Sequence, residues 1–436
     1  MTTGQEAYLS WLRYALWGGC HPELAEGSLS GILETADRQK TRGLVFEAML
    51  RDSGSQPGMT EERKARMKQL LRRILATHRM LDAAVAQALG ALRQAGIPAV
   101  LLKGQGAARN YPDPQLRECG DIDIYIGPER LEEAVRVLTP LADKVDDKLV
   151  GKHWQLWIGQ AEIELHQHTM LPDGRRRTRF FRKLEEEGLR HDLVPLDFGG
   201  ISVDTPEDTF NAFYLFYHAW HHFITGGIGF RQLCDWTLLL HRRRERIDRE
   251  RLRAMLDGMR LLRPWQLFGC IAVRDLGLPE QEFPFYDPAR YDKSRRVLDV
   301  ILAEGNFGRG RKPRRERPKG YVAGKAHSLG LHVNRFLKMF RIVPAEAWQS
   351  FRATVFDGFA RVFKDLLHKG FLFDRSSGAC APGPVPRGDG FSSACSSAWC
   401  ASPPRWASCG SASASWTSRP AISTPRSPCT SASCWA

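Results

Sequence analysis

The chain has 436 residues, 43 % of them hydrophobic, enough apolar material for a sizeable core and for more than one domain. The formal net charge of +14 suits polyanionic ligands such as nucleotides, nucleic acid or a membrane surface, and decides nothing about fold. No apolar run reaches the roughly 18 residues a membrane span needs, and no basic stretch precedes an apolar run at the start. Neither a span nor a secretory signal is expected, and the cytoplasm is the expected compartment.

In chain order, Leu9, Leu12, Ala15 and Leu16, then Val45, Phe46, Met49 and Leu50, recur at loose helical spacing and mark residues 1–59 as an N-terminal helical segment. Thr60 is a good N-cap, with Glu61 and Glu62 in the turn that follows. The stripe Met67, Leu70, Leu71, Ile74, Leu81, Val85, Ala88 and Leu92 carries this helix to Gly96. Residues 97–102, IPAVLL, read as a buried strand, GQGAARNY as a short helix entered through glycines, and CGDIDIYIG, which alternates strictly, as a second strand. PERLEEAVRVLTPLA predicts a helix with Pro in its first turn. HWQLWI and AEIELHQH alternate on either side of Gly159-Gln160 and predict a hairpin. Thr205-Pro206-Glu207 predicts a helix start with Pro at its first position, and apolar stripes follow over 209–223, 229–241, 251–275, 294–303 and 330–369. The expected fold class is α+β: a small mixed β-sheet core flanked by helices over 60–200, then a mainly helical domain over 201–374.

Residues 375–436 differ from the rest. They hold no Lys, no Glu and one Asp, and Ser, Ala, Pro, Arg, Trp and six of the ten cysteines dominate without any period. A disordered low-complexity tail is expected there, with the composition a frameshift of a GC-rich gene produces. The other cysteines, Cys20, Cys119, Cys234 and Cys270, are scattered and form no CxxC pair. The main body therefore reads as a reduced protein with neither a disulfide framework nor a zinc site.

The chemistry concentrates in residues 99–127, AVLLKGQGAARNYPDPQLRECGDIDIYIG. Alternate residues of a strand share a face, so Ile122, Ile124 and Ile126 point to the core while Asp121 and Asp123 stand together on the other side. Two carboxylates this close repel unless cations lie between them. Mg²⁺ prefers such oxygens together with phosphate oxygens, and two ions can activate an attacking oxygen and stabilise a leaving one. Gly104 and Gly106 allow close backbone approach to an anion, with Lys103 beside them and Arg117 four residues before Asp121. In AEIELHQH, Glu162, Glu164 and His166 share the face opposite Ile163 and Leu165, which makes Glu164 available as a third carboxylate.

A Gly-containing loop after a strand, Asp-hydrophobic-Asp on the next, and an acid on a later strand resemble the polymerase-beta-like nucleotidyltransferase superfamily. Over about residues 60–370, the elements LLKG, YPDPQLRECGDIDIYI, IELHQH, HAWHHF and GFRQLCDWTLLL are similar to the bacterial family of uncharacterised nucleotidyltransferases. The resemblance implies that Asp121, Asp123 and Glu164 are the catalytic, metal-binding residues and hold two Mg²⁺ ions. It also implies that Lys103, Gly104, Gly106 and Arg117 receive the phosphates of a nucleoside triphosphate (NTP). The implied activity moves an NMP from NTP to a hydroxyl on an unidentified acceptor, small molecule or protein. Where the superfamily usually carries Gly-Gly or Gly-Ser, this chain carries Gly104-Gln105. That departure keeps an alternative open: a catalytically degenerate fold serving as a nucleotide-sensing or protein-interaction module.

Three further features weigh less. His218 and His222, four apart, have zinc spacing, but Phe216, Tyr217, Trp220 and Phe223 around them predict a packed aromatic face. Arg231 and Asp235 have the spacing of a helix ion pair, on a helix that could also line the cleft. The basic run FGRGRKPRRERPKGY, 307–321, is expected to be a solvated linker and gives weak support for a nucleic-acid partner.

Overall fold

A computed structural model describes residues 1–20, 28–51, 58–147, 151–198, 200–308 and 321–352, together with 22, 149 and 355. The tail 375–436 and most of the basic run 307–321 lie outside the described residues. All described residues belong to one unit, Met1–Phe371.

Three helices open the chain: α1 (Thr3–Trp17), α2 (Leu29–Gln39) and α3 (Arg42–Arg51). The long α4 (Glu61–Gln94) starts where Thr60 caps it, its side chain accepting from the Arg63 N–H. Then come β1 (Val100–Leu101), α5 (Lys103–Ala108), β2 (Ile122–Tyr125), α6 (Leu131–Leu138), β3 (Lys144–Val145), β4 (His153–Ile158), β5 (Ala161–His166), α7 (Arg175–Arg190), β6 (Val194–Phe198) and β7 (Ile201–Thr205). The described residues after β7 are mainly helical: α8 (Asp208–Thr225), α9 (Phe230–Arg243), α10 (Arg249–Met259), α11 (Leu262–Arg274), α12 (Tyr291–Glu304), α13 (Tyr321–Phe340) and a last helical run over 344–352. Among the described residues no helix is long and apolar enough to cross a membrane.

Among the described residues seven strands form one mixed sheet in the order β3-β4-β5-β2-β1-β7-β6, which is the α+β architecture expected. β2 pairs parallel with β5 and antiparallel with β1, and β1 pairs parallel with β7. The predicted hairpin is β4–β5, turning at Gly159, whose φ is +58°. One face of the sheet is apolar: Ile122, Ile124, Ile163 and Leu165 pack against Leu81, Val85 and Leu92 of α4 and Leu131 and Leu138 of α6. Fully burying one such side chain contributes about 1.5–3 kcal/mol. The opposite face carries the acids and is met by the helices after β7. Their core is aromatic, with Phe213 and Phe216 of α8 among Trp236, Trp265 and Phe268, all fully buried.

Several expectations shift. Residues 194–205 form the β6–β7 hairpin, which places 201–205 inside the sheet, with Pro195 on the edge strand where its missing N–H is tolerated. Pro206 lies outside its helix: α8 begins at Asp208, capped by the Glu207 side chain, which accepts from the Thr209 and Phe210 N–H groups. Likewise Pro128 precedes the helix beginning at Leu131. The stripe over 251–275 is two helices, because Arg260 turns left-handed (φ +57°) and ends α10. Gly188 of α7 is needed for packing, since a Cβ there would stand 2.2 Å from the Phe210 ring.

Candidate active site

The parallel register of β2 and β5 sets Asp123 directly beside Glu164. Asp121, just ahead of β2, completes a trio whose ligand oxygens all lie within 4.8 Å of one another. The three carboxylates line a cavity of about 280 Å³ whose other walls come from the Lys103-Gly104 turn, Lys152, His153, and residues of α8 and α9. Asp123 is 1 % exposed; its Oδ1 lies 3.0 Å from Lys103 Nζ and 2.8 Å from His166 Nε2, while its buried Oδ2 has no hydrogen-bond partner.

The electrostatics follow from this crowding. Burial would raise the Asp123 carboxyl, but the Lys103 charge and the His166 hydrogen bond outweigh it and hold the group well below the usual carboxylate range. Burial also opposes the Lys103 ammonium; Asp123 and then Asp121 overcome it and raise its pKa. Glu164 is likewise lowered against burial, chiefly by His166, whose Nε2 is 3.2 Å from Glu164 Oε2. Nothing meets His166 Nδ1, so the proton that serves Asp123 and Glu164 belongs on Nε2. Glu162 shares the face of Glu164, and burial followed by the neighbouring Glu164, Asp121 and Asp123 raises it. The two glutamates are bridged by the Gln155 amide, at 2.9 and 3.3 Å.

The donor set fits Mg²⁺. Three hard carboxylates converge, and one buried oxygen among them is left without a partner. His153, Glu164 and His166 form an overlapping second group within the same distance, a mixed nitrogen–oxygen set of the kind transition metals favour.

The phosphate-binding candidates divide. Gly104 has φ +52°, and a Cβ on it would stand 3.3 Å from the Asp121 carbonyl oxygen, so glycine is required where the turn passes the acids. Lys103 faces the aspartates. Gly106 does not reach the cavity: it packs toward Thr205 of β7, one turn further into α5. That helix has only six residues, so it offers backbone N–H groups but little summed dipole. Gln105 is 1 % exposed and neither atom of its amide is hydrogen-bonded. Arg117 lines the cavity, but its guanidinium is bound in a fork by Asp235, Nε to Oδ1 at 2.7 Å and Nη2 to Oδ2 at 2.6 Å. Tyr111 donates to the same Oδ1 at 2.7 Å. The Arg117 site is therefore first a buried ion pair.

Sequence reasoning missed other wall residues. α9 does line the cavity, yet Arg231 bonds the Glu118 carbonyl at 2.7 Å instead of pairing with Asp235. His218 and His222, expected on a packed aromatic face, border the cavity with their Nε2 atoms 3.2 Å apart. Lys152 precedes β4; burial and then Lys103 lower its ammonium to about 8, and it donates to the Thr169 carbonyl at 2.5 Å. An ordinary polar residue ahead of an alternating strand gives no sequence signal for that role.

A profile of the family described as uncharacterised nucleotidyltransferase matches residues 27–277. The chain belongs to that family. The match contains every residue bordering the cavity, from Lys103 to Asp235. Family membership supports nucleotidyl transfer as the general class of reaction, with NTP as substrate. No curated protein and no solved structure matches the chain.

Proposed function

We propose that the chain is a Mg²⁺-dependent nucleotidyltransferase. An acceptor hydroxyl attacks the α-phosphorus of an NTP, the bond to the oxygen bridging to the β-phosphate breaks, and pyrophosphate leaves. The observation that carries this reading is the β2–β5 register, which aligns Asp123 with Glu164 and leaves Asp123 Oδ2 buried and partnerless among carboxylates. Asp121, Asp123 and Glu164 would hold the ions, two of them as such chemistry commonly uses. When bound, Mg²⁺ neutralises the charge that develops on the phosphoryl and leaving oxygens.

The chain's own residues do the rest. Glu164 accepts a hydrogen bond from the acceptor hydroxyl and favours loss of its proton. His166 keeps Asp123 and Glu164 oriented through one donor. Lys103 and the backbone at Gly104 lie where the triphosphate would settle, and positioning and charge supply most of such catalysis. The helices after β7 supply acceptor specificity.

Gln105 in place of the usual small residue favours a second reading, a nucleotide sensor without turnover. Pyrophosphate release from each NTP, with Mg²⁺ and pooled hydroxyl acceptors, separates the two. Transfer predicts turnover that is abolished by chelation. It also predicts that Glu164→Gln lowers kcat by about 10²–10⁴-fold while the NTP KM stays within about threefold. NTP-dependent thermal stabilisation without pyrophosphate, unchanged in Glu164→Gln, would discard the enzyme in favour of the sensor.

A further inference from the structure

A second cavity, of about 900 Å³, lies away from the carboxylates. Its rim gathers arginines from three separate elements: Arg175, Arg176 and Arg177 at the start of α7, Arg260 at the turn after α10, and Arg352 in the last helical run. The acids bordering it are Asp173 and Asp257, and Asp257 is engaged by Arg253 at 2.7 Å. Burial lowers Arg177 and the neighbouring Arg260 charge adds to that, against partial relief from Tyr217, Asp173 and Glu346. Five guanidinium groups against two carboxylates leave this rim net positive, which suits an anion larger than one phosphate.

Trp348 stands on the same rim, 54 % exposed. Its ring contacts Phe336 and Phe351, with centroids 5.9 and 6.4 Å away, and more than half of the residue stays open to solvent. A smaller recess shares Arg177 and Arg260 and is lined also by Tyr217 and His221 of α8 and by the acids Asp173 and Glu346. Guanidinium groups spaced around a wide opening, with an exposed aromatic ring among them, match the chemistry of a sugar–phosphate strand carrying stackable bases.

We infer that this cavity binds a single-stranded nucleic-acid segment, its phosphates on Arg175, Arg176, Arg177, Arg260 and Arg352 and one base on Trp348. The inference does not depend on nucleotidyl transfer at the carboxylates.

The test is fluorescence anisotropy with the full chain and labelled single strands, RNA and DNA, of about 12 nucleotides, titrated between about 50 and 200 mM salt. Arg260→Gln/Arg352→Gln is expected to weaken binding at least tenfold and to flatten the slope of log K against log salt by roughly 1.4, since each phosphate contact contributes about 0.7. Trp348→Leu is expected to weaken binding by about tenfold with the salt slope unchanged, as loss of one stacked base requires. Circular dichroism confirms folding of each variant; these are surface positions, so folded protein is expected. Asp121→Asn/Asp123→Asn is expected to keep the strand affinity, which separates this site from the carboxylate cavity. The inference is overturned by a wild-type chain that binds neither strand, or by cavity variants with wild-type affinity, which would place binding on the basic run 307–321. Loss of binding in an aspartate variant that circular dichroism shows to be folded, or capture of inorganic pyrophosphate without any strand, overturns it equally.

Discussion

The contact between Lys103 and Asp123 invites a double-mutant cycle. At 3.0 Å and an effective dielectric near 20, the pair's attraction is about 5.5 kcal/mol. Asp123→Asn forfeits that attraction and leaves a mostly buried ammonium whose nearest remaining acid, Asp121, is 4.0 Å away and 43 % exposed. Orphaning one partner of a buried pair costs about 3–5 kcal/mol; with Asp121 as partial relief we expect about 3. Lys103→Met should cost about 2 kcal/mol, because His166 still donates to Asp123. The double variant removes both charges, and its cost should fall short of the sum by about 2 kcal/mol. Urea unfolding followed by tryptophan fluorescence, in chelator, reads all four corners. Costs that add to within about 0.5 kcal/mol would show that the ammonium does not sit between the aspartates.

Two further outcomes follow from buried charge. Burial, then the Lys103 charge, lowers His222 to about 3. Between its ordinary value and that one, the unfolded chain binds a proton that the folded chain refuses, so stability falls as pH falls through this window. Unfolding titrations from pH 7 to 4.5 should show roughly 2 kcal/mol of loss that His222→Asn removes; an identical pH profile in the variant refutes the assignment. Asp235→Ala should destabilise by about 3–5 kcal/mol, since it strands Arg117 and takes the acceptor from Tyr111. Arg117→Met/Asp235→Leu should recover most of that in the same urea assay, and failure to recover would mean that packing, not charge, holds the contact.

What was legible in the sequence was whatever repeats at short range. Strict alternation around Asp121 and Asp123 marked both the strand and its polar face, and the turn at Gly159-Gln160 marked the hairpin that carries Glu164. The β6–β7 hairpin had its own signal, two glycines at 199–200 between short alternating runs, but Pro195 and the two Asp residues masked it. Long-range pairing left no trace. Arg117 and Asp235 meet from distant parts of the chain, while the i,i+4 spacing of Arg231 and Asp235 pointed to a local pair that does not form. α8 is apolar nearly all round, so no stripe told which side of it His218 and His222 would occupy.

The β2–β5 register has an evolutionary consequence. A slip or insertion of two residues in β5 would keep every apolar side chain on the apolar face, so the core would tolerate it. The acid beside Asp123 would then be exchanged for Glu162 or His166, and a carboxylate cluster could become a different ligand set without any loss of fold. Two anchors stand against that drift: the tight turn at Gly159 at one end of β5, and the His166–Asp123 hydrogen bond at the other. A lineage in which either anchor is lost is where a change of metal, or loss of the reaction, would begin.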